Sequence, residues 1–107
     1  MISESAVNER LDELMMAIED AIEDAEVEID YETSAGILTL TCEDGSQVIL
    51  SRQPSMGQLW MAARSGGFHY ELDEGDEWRC TRTGEAFLPM LNRCLSEQSG
   101  DSIELQL

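Results

Sequence analysis

A chain of 107 residues has room for one independent core and not for two, and with 42% hydrophobic and 27% charged residues it has the make-up of a folded globular domain. Charge is where it departs from the average: 23 carboxylates stand against six arginines and no lysine, a formal net charge of −17. A basic surface able to neutralise phosphates cannot be assembled from this chain, which argues against nucleic acid and anionic membranes as direct partners. No apolar run is long enough to span a bilayer. The opening Met1-Ile2-Ser3-Glu4 lacks the basic start and apolar stretch of a secretory signal, which predicts a soluble, cytoplasmic protein. Cys42, Cys80 and Cys94 are an odd number at wide spacing with no CxxC, so neither a disulfide framework nor a thiolate zinc site is expected.

In chain order, Val7, Leu11, Leu14, Met15, Ile18, Ile22 and Ala25 recur at spacings of three and four, which predicts an amphipathic helix from about Ser5 to Ala25. Asp12, Glu13, Glu19, Asp20, Glu23 and Asp24 fall off that stripe and form an acidic ridge. Glu26 to Glu32 alternates strictly and predicts a half-buried strand, with Val27, Ile29 and Tyr31 inward and four acids outward. A turn at Ser34-Ala35-Gly36 leads to a strand from Ile37 to Cys42, and Glu43-Asp44-Gly45-Ser46 reads as a hairpin into Gln47 to Arg52. A loop at Pro54 to Gly57 precedes strands at Gln58 to Ala63, Phe68 to Leu72 and Glu77 to Thr81, with turns at Ser65-Gly66-Gly67 and Asp73 to Asp76. A second helix is expected from Gly84 to Gln98, with Pro89 tolerated in its first turn and Ser99-Gly100 as its stop, followed by a tail from Ile103 to Leu107 packed on the helices.

Helix, six strands, helix implies an α+β two-layer sandwich, a six-stranded antiparallel sheet with both helices on one face, in a single domain spanning 1–107. The other face is open. Alternation places Leu59, Met61, Phe68, Tyr70, Leu72, Trp78 and Cys80 in the core and Gln58, Trp60, Ala62, His69, Glu71, Arg79 and Thr81 on the open face. Trp60 beside the uncharged Gln53 and Gln58 has the composition of an interface anchor. Cys80 and Cys94 read as buried thiols, and His69, the lone histidine, has no nucleophile or orienting group assigned to it, so no catalytic set is expected.

Two features of the ridge run against helix physics. Glu19/Glu23 and Asp20/Asp24 are like-charge pairs four residues apart, each costing about 0.2–0.5 kcal/mol, and they crowd a helix C-terminus that is already negative. A solvated, solubilising face is one reading. A functional surface is the other: carboxylates alone suit hard cations such as Fe²⁺, Fe³⁺, Mn²⁺, Ca²⁺ or Mg²⁺, held weakly and with water, and would equally steer a basic protein partner. There is no EF-hand loop, no HExxH and no pair of Glu-x-x-His motifs.

The residues as an ordered set resemble the frataxins, and the bacterial frataxins in particular. The match rests on the acidic first helix and Glu28-Ile29-Asp30, on Gly36-Ile37-Leu38-Thr39-Leu40-Thr41 with Glu43-Asp44-Gly45-Ser46, and on Arg52-Gln53-Pro54 with Gln58-Leu59-Trp60. It continues through Gly66-Gly67-Phe68-His69-Tyr70, Gly75-Asp76-Glu77-Trp78 and Gly84-Glu85. The resemblance implies the same sandwich and a non-enzymatic role in iron–sulfur cluster biogenesis, with iron as Fe²⁺ or Fe³⁺ bound weakly at surface carboxylates. The family's metal-binding ridge maps onto Glu19, Asp20, Glu23, Asp24, Glu26, Glu28 and Asp30. It further implies docking of that ridge, Glu19 and Glu23 included, on the cysteine desulfurase, and of the sheet face around Gln53, Gln58 and Trp60 on the complex of desulfurase and iron–sulfur scaffold protein. A monomer in the absence of metal is expected. The alternative is an iron chaperone or iron-storage protein that oligomerises with metal; a ferroxidase is disfavoured by the missing di-iron ligand set.

Overall fold

The computed structural model describes residues 3–107; Met1 and Ile2, part of the opening read above, lie outside the described residues. Helix α1 spans Glu4–Ala25, and Ser3 caps it, its Oγ accepting from the Ala6 N–H at 3.1 Å. Six strands follow: β1 Asp30–Ser34, β2 Ile37–Thr41, β3 Gln47–Gln53, β4 Gln58–Ala63, β5 Gly66–Leu72 and β6 Trp78–Cys80. Helix α2, Phe87–Ser99, closes the layer of helices. The sheet is a pure meander, ordered β1 to β6 with every neighbour antiparallel.

One core lies between sheet and helices. Val7, Leu11, Met15, Ile18 and Ile22 of α1 and Phe87, Met90, Leu91, Cys94 and Leu95 of α2 are buried against the inner row Leu38, Leu40, Val48, Leu50, Leu59, Met61, Tyr70, Trp78 and Cys80. The α1 stripe shifts at its end: Ala21 is buried beside Ile22, whereas Ala25, the last residue of the helix, is exposed. Phe68 and Leu72 are half-buried at the margin of the core rather than inside it. Arg52 continues the inner face of β3 and reaches α1, pairing with Asp12 at 2.7 Å and donating to Asn8 Oδ1 at 3.3 Å, which ties the sheet to the first half of that helix.

Four boundaries differ from the sequence expectation. The alternating run from Glu26 begins as a turn, and β1 starts only at Asp30, because Thr41 opposite Asp30 is the last residue of β2 and nothing remains for residues 26 to 29 to pair with. The in-and-out pattern survives without a ladder: Val27 is half-buried, Ile29 buried and Tyr31 half-buried. Gly66 and Gly67 belong to β5, paired with Ala63 and Ala62, and the turn is Arg64-Ser65. β6 is three residues long, and a turn through Thr81–Thr83 delays α2 to Phe87. Pro89 is then the third residue of the helix, where an N–H has no intrahelical partner to lose. The tail packs on α2 as expected, with Ile103 and Leu105 buried, though Leu107 is half exposed.

Candidate functional site: an acidic ridge and an open sheet face

The ridge is built where α1 runs over the edge strand β1. Glu19 accepts a hydrogen bond from Thr33 Oγ1 at 2.7 Å, and Glu23 accepts one from the Tyr31 hydroxyl. Residues four apart on a helix are about 6 Å apart along its axis, and residues two apart on a strand about 6.6 Å, so the antiparallel pairing matches two carboxylates to two hydroxyls. Asp20 and Asp24 stand beside them, exposed. Glu26 ends the helix in the left-handed conformation, φ 53°, with its N–H on the Glu23 carbonyl. Glu28 is exposed in the turn, and Asp30 opens β1 on the far side of the strand from Tyr31, so the acidic surface wraps from the helix around the edge of the sheet.

Two electrostatic facts define the ridge. Arg10, Arg52, Arg64, Arg79 and Arg93 pair with Glu13, Asp76, Asp12, Asp44, Asp73, Glu77 and Glu85, and among the described residues no ion pair reaches Glu19, Asp20, Glu23, Asp24, Glu26, Glu28 or Asp30. Tyr31 registers the resulting negative potential: the hydrogen bond to Glu23, partial burial, and the charges of Glu23, Glu19 and Asp20 push its phenol up to about 12. No three His, Cys, Asp or Glu side chains among the described residues converge closely enough to enclose a metal ion. The donor set is oxygen throughout and spread over a surface, which fits a hard cation that keeps much of its water.

Sequence reasoning missed three parts of this region. Thr33 and Tyr31 as hydroxyl donors were hidden because alternation tells which side of a strand a residue takes but not which helix row it meets. Glu43 and Asp101 join Glu26 and Glu28 around a cleft of about 200 Å³ between the turn after α1 and the start of the tail. Ser99 also lines it, its hydroxyl buried without a hydrogen-bond partner.

On the opposite face, Trp60 and His69 are directly paired across β4 and β5 and point outward, as alternation predicts. Their rings stack with centroids 4.4 Å apart and planes within 10°. The indole N–H donates to Gln58 Oε1 at 2.7 Å, and Gln58 Nε2 donates to Glu71 Oε2 at 3.0 Å. Gln53 pairs with Gln58 from β3, so the uncharged polar flank of the tryptophan is continuous. The helical part of the ridge, Glu19 to Asp24, lies on the opposite side of the sheet from this face, whereas Asp30 lies on the same side as Trp60. Trp78 is buried in the core, and all three cysteines are buried free thiols.

Comparison with known proteins gives a consistent answer. The frataxin-like domain family matches residues 4–101. The iron–sulfur cluster assembly protein CyaY of Stutzerimonas stutzeri is 42% identical over 98% of this chain and 96% of its own length, and that of Azotobacter vinelandii 44% identical over 96% and 94%. Among solved structures, frataxin from Psychromonas ingrahamii superposes with a TM-score of 0.90 at 29% identity, covering 99% of this chain and all of that one. Trimeric yeast frataxin complexed with ferrous iron does so with a TM-score of 0.69 at 25% identity, covering 94% of this chain and 89% of its own.

Proposed function

The chain belongs to the frataxin-like family, and from that membership we propose that it is an iron-binding, non-catalytic protein of iron–sulfur cluster assembly. Its acidic ridge docks on the cysteine desulfurase, and the face around Gln53, Gln58 and Trp60 docks on the complex of desulfurase and scaffold. The observation that carries this reading is the distribution of the arginines: every ion pair among the described residues is spent elsewhere, and the ridge carboxylates are left for a cation or a basic protein surface from outside. Iron is cargo or regulator here, held at Glu19, Asp20, Glu23, Asp24, Glu26, Glu28 and Asp30 through exposed oxygens. Among the described residues no helix is long and apolar enough to cross a membrane.

A second reading has one observation in its favour: the yeast relative is a trimer complexed with ferrous iron, which suits a chaperone or store that assembles with its metal. The rate of anaerobic cluster formation on the scaffold, with desulfurase, cysteine and ferrous iron, separates the two. A regulator docking by charge changes that rate in proportion to the protein added, and salt near 0.5 M abolishes the change, because the Debye length then falls to about 4 Å. An unchanged rate, with iron still bound by the isolated chain as a larger oligomer, would favour the chaperone reading.

A further inference from the structure

We propose that His69 is a positioning residue for the sheet-face docking site: it holds Trp60 flat as a preorganised anchor, and its charge sets how firmly the anchor is held. This rests on the sheet-face reading above and deepens it. An exposed tryptophan that must be ordered on binding loses affinity to the ordering, whereas one already fixed does not. Trp60 is fixed twice. His69 covers one side of the indole at stacking distance, and Gln58 holds its N–H. Gln58 is itself anchored by Glu71, two residues along β5 from His69, so four side chains on two strands are linked in one run of contacts, His69 to Trp60 to Gln58 to Glu71. The other neighbour of Trp60 in the sheet is Ser51, too short to cover an indole, so a partner meets the ring from that side or from above.

Imidazole is the side chain whose charge changes in the physiological range, and an imidazolium over an indole adds cation–π attraction to the stack. The charged groups on this face of the neighbouring strands are few. β4 offers none at Gln58, Trp60 or Ala62; β5 offers Glu71; β6 offers Arg79, with Arg82 in the turn beyond. Glu71 is engaged with Gln58, and Arg79 is held by Asp73 at 2.6 Å and Glu77 at 2.9 Å. Protonation of His69 is therefore the change of charge that the Trp60 ring meets directly.

The test is equilibrium binding of single-site variants to the assembled desulfurase–scaffold complex at about pH 8 and pH 6. His69→Ala should weaken binding about fivefold at pH 8, the value of an aromatic stack, while His69→Phe, which keeps a stacking ring, stays within about twofold of the parent. The parent should tighten about threefold more than His69→Phe between pH 8 and pH 6, the cation–π increment. Trp60→Ala should weaken binding at least about tenfold, as removal of a hot spot does, and His69→Ala added to it should change nothing further. Both residues lie outside the core, so the variants keep the fold. If Trp60→Ala weakens binding while His69→Ala leaves it unchanged, or if His69→Phe follows the same pH profile as the parent, this inference fails and the sheet-face reading stands. Unchanged binding by Trp60→Ala overturns both.

Discussion

Each helix meets an extended segment through polar side chains four residues apart, and the two meetings are built for different ends. On α2, Asn92 and Ser96 each hold both backbone groups of a tail residue. Asn92 donates to the Leu105 carbonyl and accepts its N–H at 3.2 and 2.8 Å, and Ser96 does the same for Ile103 at 3.0 and 2.8 Å. The groups are neutral and partly buried, every bond is reciprocated, and buried Ile103 and Leu105 lie beneath. On α1, Glu19 and Glu23 accept only from two hydroxyls of β1 and remain charged, next to Asp20 and Asp24 at the wrong end of the helix dipole. The ends of the helices differ in the same sense. Gly100 takes the left-handed position after α2, φ 69°, at no steric cost, whereas Glu26 takes it after α1. One seam is optimised for stability, and the other holds uncompensated charge where stability would ask for none.

Cutting each seam should therefore produce opposite phenotypes. Asn92→Ala with Ser96→Ala leaves four partly buried backbone groups without partners, and urea denaturation should show a loss of about 2–4 kcal/mol. Desulfurase affinity in the same variant should be unchanged under conditions where it is folded. A variant that lost affinity as much as stability would mean that the tail, and not only the ridge, is part of the docking surface.

A smaller effect sharpens the other seam. Tyr31 stays protonated to about pH 12 in the folded state against an ordinary 10, so its contact with Glu23 contributes fully below pH 10 and is lost as pH rises through 12. Glu23→Gln removes the charged acceptor, and the phenol should fall back toward 10, so that the alkaline loss of stability between pH 10 and 12 shrinks with it. Absorbance near 295 nm reads this. Tyr70, raised chiefly by burial, is the internal control and should not move. A phenol still at about 12 in Glu23→Gln would show that burial, not the ridge, holds it there.

What the sequence made legible was whatever repeats along one element. The 3.6-residue stripe placed α1, and alternation put Trp60 and His69 on the open face because both of their strands have partners on each side. What it hid depends on where another element stops. Glu26 to Glu32 alternates like a strand, but a ladder needs a partner, and β2 ends opposite Asp30. The stacking of Trp60 on His69 and the bonds from Thr33 and Tyr31 into the ridge are matters of register between elements, which spacing within one element does not carry. Gly66-Gly67 misled for a simpler reason: glycine is commonest in turns, yet here Arg64 and Ser65 make the turn and the glycines open the next strand.

The most direct test of the central claim neutralises the ridge and leaves the rest alone. In the variant Glu19→Gln, Asp20→Asn, Glu23→Gln, Asp24→Asn, amide oxygens can still accept from Thr33 and Tyr31, and two like-charge pairs are relieved, so the fold should be as stable as the parent or slightly more so. Its affinity for the cysteine desulfurase at low ionic strength should fall about a hundredfold, or about 2.7 kcal/mol, and the difference from the parent should shrink as salt is added. A natively folded variant that binds the desulfurase as tightly as the parent would contradict the account.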